Sequence, residues 1–163
     1  MSDKSLVRMF EEVRWQTLRI LDGVDEQAAR WAPHGLQNTI LWHAGHAFIV
    51  AESCTMQSLG RTPAYSDSWF SIFSGRELTP QDVPAEGWPV LDSVVTELRN
   101  QRDRLVELYR SLTESQLVAQ AVHKPQRTVR YMILHGIYDE AAHGGETWLL
   151  RKLWEVQKPT AAN

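Results

Sequence analysis

A chain of 163 residues with 43% hydrophobic and 23% charged residues is typical of a soluble globular protein, and we expect a single domain over residues 1–163. Its formal net charge of −3 gives no electrostatic basis for binding nucleic acid or an anionic membrane. The N-terminal residues carry charges throughout, no apolar run approaches the roughly 20 residues of a membrane span, and Cys54 is the only cysteine. We therefore expect neither a signal peptide nor a disulfide, and a cytoplasmic location.

The first predicted element is an amphipathic helix over residues 4–21, in which apolar residues recur at helical spacing. Charged residues, Arg14 among them, occupy the rest of the helical wheel. Ser2 or Asp3 is suited to cap the start of this helix, and Asp22-Gly23 is suited to end it.

A second long helix is predicted over residues 38–59, because its first two residues are good N-caps and Gly60 is a typical C-terminal stop. One mostly apolar face of this helix includes His46. His43 lies toward one edge of the same face, and the sequence alone assigns it no role.

Residues 61–89 are predicted to form a long crossover, since prolines and glycines rule out a long helix there. Residues 67–73 favour one or two helical turns, and Thr79-Pro80 favours another helix start with proline at the first position. A connection of this length usually crosses from one end of a fold to the other or covers a site. Its aromatic residues indicate that it packs against the rest of the protein.

The second half of the chain predicts two more long helices, over residues 90–112 and 128–156. A capping-box pattern at 113–116 predicts a short helical turn between them, and residues 119–127 are predicted to be a polar linker. No strand pattern is evident. We therefore predict an all-α fold, a four-helix bundle with a long crossover between its second and third helices.

Three ligand-type side chains form a ladder on the predicted fourth helix, because His135, Asp139 and His143 are spaced four residues apart. Their face is otherwise largely apolar, and burying such groups is costly unless they are paired or bind a metal. With His46, Asp139 and His143 offer two imidazoles and one carboxylate, a set that leaves coordination positions open and suits zinc or Fe(II). From spacing alone, the alternative is that these histidines are hydrogen-bonded core residues.

Four segments carry a resemblance to a known family: residues 27–33; residues 38–46, which lead to Ala51-Glu52; residues 98–117; and residues 128–130, which lead into 135–146. Over nearly its whole length the chain resembles the DinB/YfiT-like metal-binding four-helix bundle superfamily. In that family a histidine of the second helix and a His-x-x-x-His pair of the fourth bind a divalent metal.

The resemblance implies that His46, Asp139 and His143 are the metal ligands, with zinc, nickel or iron as the ion. Asp139 stands where the family usually has histidine. A carboxylate there either replaces the imidazole as a ligand or marks loss of the metal. His135, one turn earlier, is a substitute ligand or a hydrogen-bonding partner of the ligands.

The resemblance also implies a function, the metal-dependent transfer of a low-molecular-weight thiol such as bacillithiol or mycothiol to an electrophilic small molecule, or hydrolysis at the same metal. Glu146 and His135 are the candidate catalytic residues, each as a proton acceptor. The alternative is a non-catalytic protein, induced by stress or DNA damage, that keeps a structural or vestigial metal site.

A homodimer is expected from the resemblance and from the fourth helix, which is apolar on two sides. Opposite Asp139 lie Leu134, Ile137, Ala141 and Trp148. Such a face must be covered, either by the crossover 61–89 or by a second subunit. We expect an isologous dimer with Trp148 at or near its interface.

Overall fold

Four long helices dominate the computed structural model, which describes residues 3–75 and 85–157. They are α1 (Lys4–Leu21), α3 (Ile40–Ser58), α5 (Leu91–Ser111) and α7 (Val129–Gln157), and the shorter helices are α2 (Glu26–Arg30), α4 (Asp67–Phe73) and α6 (Glu114–Val118). Both α1 and α3 pack on α5 and on α7, which closes the bundle. The predicted all-α four-helix bundle is confirmed. Within the described ranges, no helix combines the length and hydropathy needed to cross a lipid bilayer.

The predicted capping residues explain where these helices begin and end. Asp3 accepts hydrogen bonds from the N–H groups of the first turn of α1, and Thr39 accepts one from the Trp42 N–H at 3.1 Å. Gly60 follows α3 with a φ of 66°, a conformation that favours glycine. The capping box of α6, formed by Thr113 and Gln116, is present as predicted. Local sequence therefore sets the starts of α1, α3 and α6 and the end of α3.

Helix α3 is the central element of the fold and is buried on almost every side. Only His46, Val50, Ser53 and Gln57 along α3 are partly exposed, and their spacing places them on one face. Two glycines allow neighbouring elements to approach closely. A Cβ on Gly45 would lie 2.3 Å from the Phe73 ring of α4, and one on Gly136 of α7 would lie 3.3 Å from the α3 backbone.

The crossover packs down on the bundle as its aromatic residues predicted. In its described part, helix α4 lies against α3, and Trp69 and Phe73 stack edge-on in the core. The helix start expected at Thr79-Pro80 lies outside the described residues.

The prediction of a polar linker over residues 119–127 is wrong in part, because a small β-hairpin occupies most of this segment. Strand β1 (Gln120–Ala121) pairs antiparallel with β2 (Lys124–Thr128). These strands are too short to produce an alternating sequence pattern. Ala121 is fully buried, which ties the hairpin to the end of the bundle.

A buried polar network links all four long helices. Arg14 of α1 is fully buried and donates to both carboxylate oxygens of Glu140 of α7, at 2.7 and 2.9 Å. It also donates to the Leu98 carbonyl and to Gln101 Oε1 of α5, at 2.7 and 2.8 Å. Gln101 in turn donates to Glu52 of α3 at 2.8 Å. Each of the three guanidinium nitrogens of Arg14 therefore has an acceptor, as a buried guanidinium requires.

The face of α7 opposite Asp139 is only partly covered. Ile137 is buried in a core cluster with Phe10 of α1. It is therefore covered by the bundle itself and by neither the crossover 61–89 nor a second subunit, the two predicted alternatives. Leu134 and Trp148 remain 43% and 50% exposed. Ile137 therefore belongs to the core, whereas Leu134 and Trp148 belong to the exposed outer face of α7.

Candidate metal centre

The three predicted ligands meet at the interface between α3 and α7. His46 Nε2 lies 3.5 Å from Asp139 Oδ1, and His143 Nε2 lies 3.8 Å from the same oxygen. One donor atom from each residue lies within 4.8 Å of the other two. Two helices that are remote in sequence thus bring two imidazoles and one carboxylate to one point.

The tautomer of His46 is set by the crossover. His46 Nδ1 donates to the main-chain carbonyl of Phe73, which can only accept. Burial lowers the pKa of His46 below its usual value, although the Phe73 carbonyl and Asp139 oppose this shift. The neutral ring therefore carries its proton on Nδ1, and its Nε2 lone pair is directed toward Asp139. Trp42 stacks on the ring at 4.6 Å and fixes its orientation.

The other ring nitrogen of His143 belongs to a second cluster. His143 Nδ1 lies 2.9 Å from Glu146 Oε2 and 2.8 Å from His43 Nδ1. Since a carboxylate accepts, Glu146 favours the tautomer with the proton on Nδ1 of His143. That tautomer leaves the Nε2 lone pair directed toward Asp139.

His43 stays uncharged at neutral pH. Burial lowers its pKa to about 3, with His143 and His46 contributing further. It can therefore contact His143 at 2.8 Å without adding a positive charge to the site.

The donor set fits a divalent cation. Asp139 Oδ1 is buried and has no hydrogen-bond partner, and it faces two imidazole nitrogens whose protons are on the opposite side of each ring. Three lone pairs without a proton between them repel each other in a site of low dielectric. A positive ion at their centre removes this repulsion, and nitrogen and oxygen donors suit zinc, nickel or iron.

A cleft of about 440 Å³ opens beside this site. His46 and Asp139 line it at one end, and His135 lines it one turn before Asp139 on α7. His135 belongs to neither group of described residues that could hold a metal, and its ring stacks on Tyr131 at 6.2 Å. His135 is therefore positioned to meet a molecule in the cleft, whereas Glu146 contacts the ring nitrogens of His43 and His143.

Comparison with known proteins gives a family and a fold. No curated protein gives a significant match to this chain. A conserved protein from Enterococcus faecalis, known from its crystal structure, is 13% identical to it, with a TM-score of 0.74. The alignment covers 96% of this chain and 99% of that protein, and it shows a shared fold. The sequence model of the DinB superfamily matches residues 9–147, and the chain belongs to that superfamily.

Proposed function

We propose that this protein binds a divalent metal through His46, Asp139 and His143 and transfers a small thiol to an electrophilic molecule. The observation that carries the metal site is the buried, unpaired Oδ1 of Asp139 between two imidazole Nε2 atoms. A bound divalent ion supplies a Lewis acid that lowers the pKa of a thiol. The choice of a thiol substrate is supported by resemblance to the family.

The chain's own residues supply positioning and proton transfer. Phe73 and Trp42 orient His46, while Glu146 and His43 orient His143. His135, in the wall of the cleft, accepts the thiol proton. As the sulfur forms its bond to the electrophilic carbon, the leaving group departs with the electron pair of the bond that breaks. Glu146 contacts His143 and takes no proton from the thiol, so it acts in this scheme as a positioning residue.

Conjugate formation tests the transferase directly. Protein loaded with zinc, nickel or iron is incubated with cysteine, glutathione, bacillithiol or mycothiol and with chlorodinitrobenzene, and the thioether is followed by absorbance. We expect a metal-dependent rate that is lost in His46→Ala and is about 100-fold lower in His135→Gln. Equal rates for the metal-loaded protein, the metal-free protein and buffer containing the same metal would contradict the transferase and favour a non-catalytic bundle.

The same proposal includes a homodimer formed through the outer face of α7. Exposed apolar residues on α7 include Tyr138, Trp148 and Leu149. A groove of about 340 Å³ between α1 and α7 is lined by Gly144, Gly145 and Trp148. A Cβ on Gly145 would meet nothing within 4 Å, so packing within the chain does not require glycine there. Glycine inside a helix destabilises that helix by about 1 kcal/mol relative to alanine. Close approach of a second copy would explain why glycine is nevertheless present at this position.

Trp148→Glu is expected to shift the protein from dimer to monomer, because it places a charge in a buried apolar contact. Light scattering at tens of micromolar measures the change. Trp15→Glu is the matched control, since Trp15 is equally exposed but lies beside a groove between α1 and α5. A wild-type monomer under these conditions, or dissociation by both variants alike, would argue against this interface.

A further inference from the structure

The cleft beside the candidate metal centre extends well beyond it. His46 lines one end and Gln57 the other, and at the rise of an α-helix these positions are about 16 Å apart along α3. The partly exposed face of α3 forms this wall, and α7 runs antiparallel to it with Asp139, His135 and Met132. A molecule that occupies the cleft therefore contacts groups far from the three proposed ligands.

The β-hairpin closes the far end of the cleft. The Val122 N–H donates to the Ser58 carbonyl at 3.0 Å, and Ala121 of β1 is fully buried. Val122 also packs against Gly60, where a Cβ would lie 3.3 Å from its side chain. These contacts fix the hairpin, in which His123 of the turn and Lys124, the first residue of β2, line the cleft. The hairpin is therefore a wall of the cleft with a defined position.

The two ends of the cleft differ in charge. Among the described lining residues Asp139 is the only carboxylate, and it faces His46 and His143. Lys124 and His123 lie at the hairpin end, and His135 lies between the ends. Within residues 3–75 and 85–157, no carboxylate forms an ion pair with Lys124. Lys124 is exposed at this end of the cleft, so its cationic side chain is accessible to an anion that enters the cleft.

We infer that the substrate carries an anionic group, carboxylate or phosphate, that binds to Lys124 at the hairpin end of the cleft. Val50, which is partly exposed, lines the cleft between its ends above the buried Ile49 and Met132 and offers an apolar contact for the carbon skeleton. This assignment rests on the proposed function for the reacting end of the substrate, but the anion site itself requires no metal.

Calorimetric titration of the metal-free protein at neutral pH tests the anion site. The probes are succinate and glycerol phosphate, with succinamide and glycerol as their uncharged counterparts. We expect at least one of the two anions to bind and both uncharged compounds to fail. Lys124→Gln should weaken that binding about tenfold, because it removes a charge-assisted hydrogen bond. Lys124→Arg should retain binding, and Lys4→Gln, an exposed lysine on α1, should leave it unchanged.

The outcomes separate this inference from the proposed function. Failure of both anions to bind, or equal affinity of wild type and Lys124→Gln, would overturn the anion site. Binding of only one anion would identify the group as a carboxylate or a phosphate. The conjugation assay of the metal-loaded wild type with its panel of thiols reports the metal-dependent reaction separately. If that reaction fails while anion binding still depends on Lys124, the proposed function falls and the anion site stands.

Discussion

Arg14→Met is expected to destabilise the fold by about 3–5 kcal/mol, because it leaves the fully buried carboxylate of Glu140 without its partner. The Leu98 carbonyl and Gln101 Oε1 lose their donor at the same time. For a chain of this length, such a loss corresponds to a fall in melting temperature of about 6–20 °C. Thermal unfolding followed by circular dichroism measures it, and denaturant titration gives the free energy of unfolding.

Two further variants show whether the loss of stability in Arg14→Met comes from the burial of its ion pair. Arg110→Met removes an ion pair with Glu11 on the surface, and such pairs contribute about 0–1 kcal/mol. The double variant Arg14→Met with Glu140→Leu should recover much of the loss, since no buried charge then remains unpaired. A cost for Arg14→Met no larger than that for Arg110→Met would show that the buried network does not stabilise the fold.

Zinc is expected to raise the melting temperature of the wild type, because a ligand that binds only the folded state stabilises it by mass action. At a free zinc concentration 100 times Kd, the gain is about 2.7 kcal/mol. His143→Ala should abolish the gain while the bundle stays folded, since His143 is only partly buried and the apolar core is unchanged. Differential scanning fluorimetry with and without zinc measures both effects.

Variants at Asp139 and Glu146 distinguish ligands from positioning residues. Asp139→Ala should lose the zinc-dependent gain, whereas Asp139→His should keep it because histidine restores the pair usual in the family. Glu146→Ala should retain a smaller gain, about 0.4–1.4 kcal/mol at the same zinc concentration, because removing the partner of His143 Nδ1 lowers metal affinity about 10–100-fold. A wild type whose melting temperature is unchanged by zinc, nickel and iron would contradict a stabilising metal site.

The helices and the proposed ligands were predictable because their signals are local. Residue spacing four apart on α7 placed Asp139 and His143 on one face, and capping residues such as Thr39 set the ends of the helices. Resemblance to the family then linked His46 to that pair. The structure brings the three residues together.

The buried ion pair was not predictable from periodicity. Arg14 was assigned with the charged residues of α1 outside the apolar stripe, yet it is fully buried. An arginine is buried only where a carboxylate from another element meets it, and Glu140 lies 126 positions away in sequence. Sequence spacing carries no information about such a contact.

The role of His43 required the tertiary structure for a similar reason. His43 and His46 lie three residues apart on α3, and Glu146 follows His143 by three residues on α7. This spacing was a usable signal for a second cluster, but only the packing of α3 on α7 shows that His43 meets His143 and not Asp139.

Anomalous scattering from crystals of the protein loaded with zinc, nickel or iron tests the central claim most directly. The account predicts a single peak within about 2.0–2.2 Å of Nε2 of His46 and of His143, with a carboxylate oxygen of Asp139 as a third ligand. A peak instead among His43, Glu146 and Nδ1 of His143, or no peak at either cluster, would contradict it.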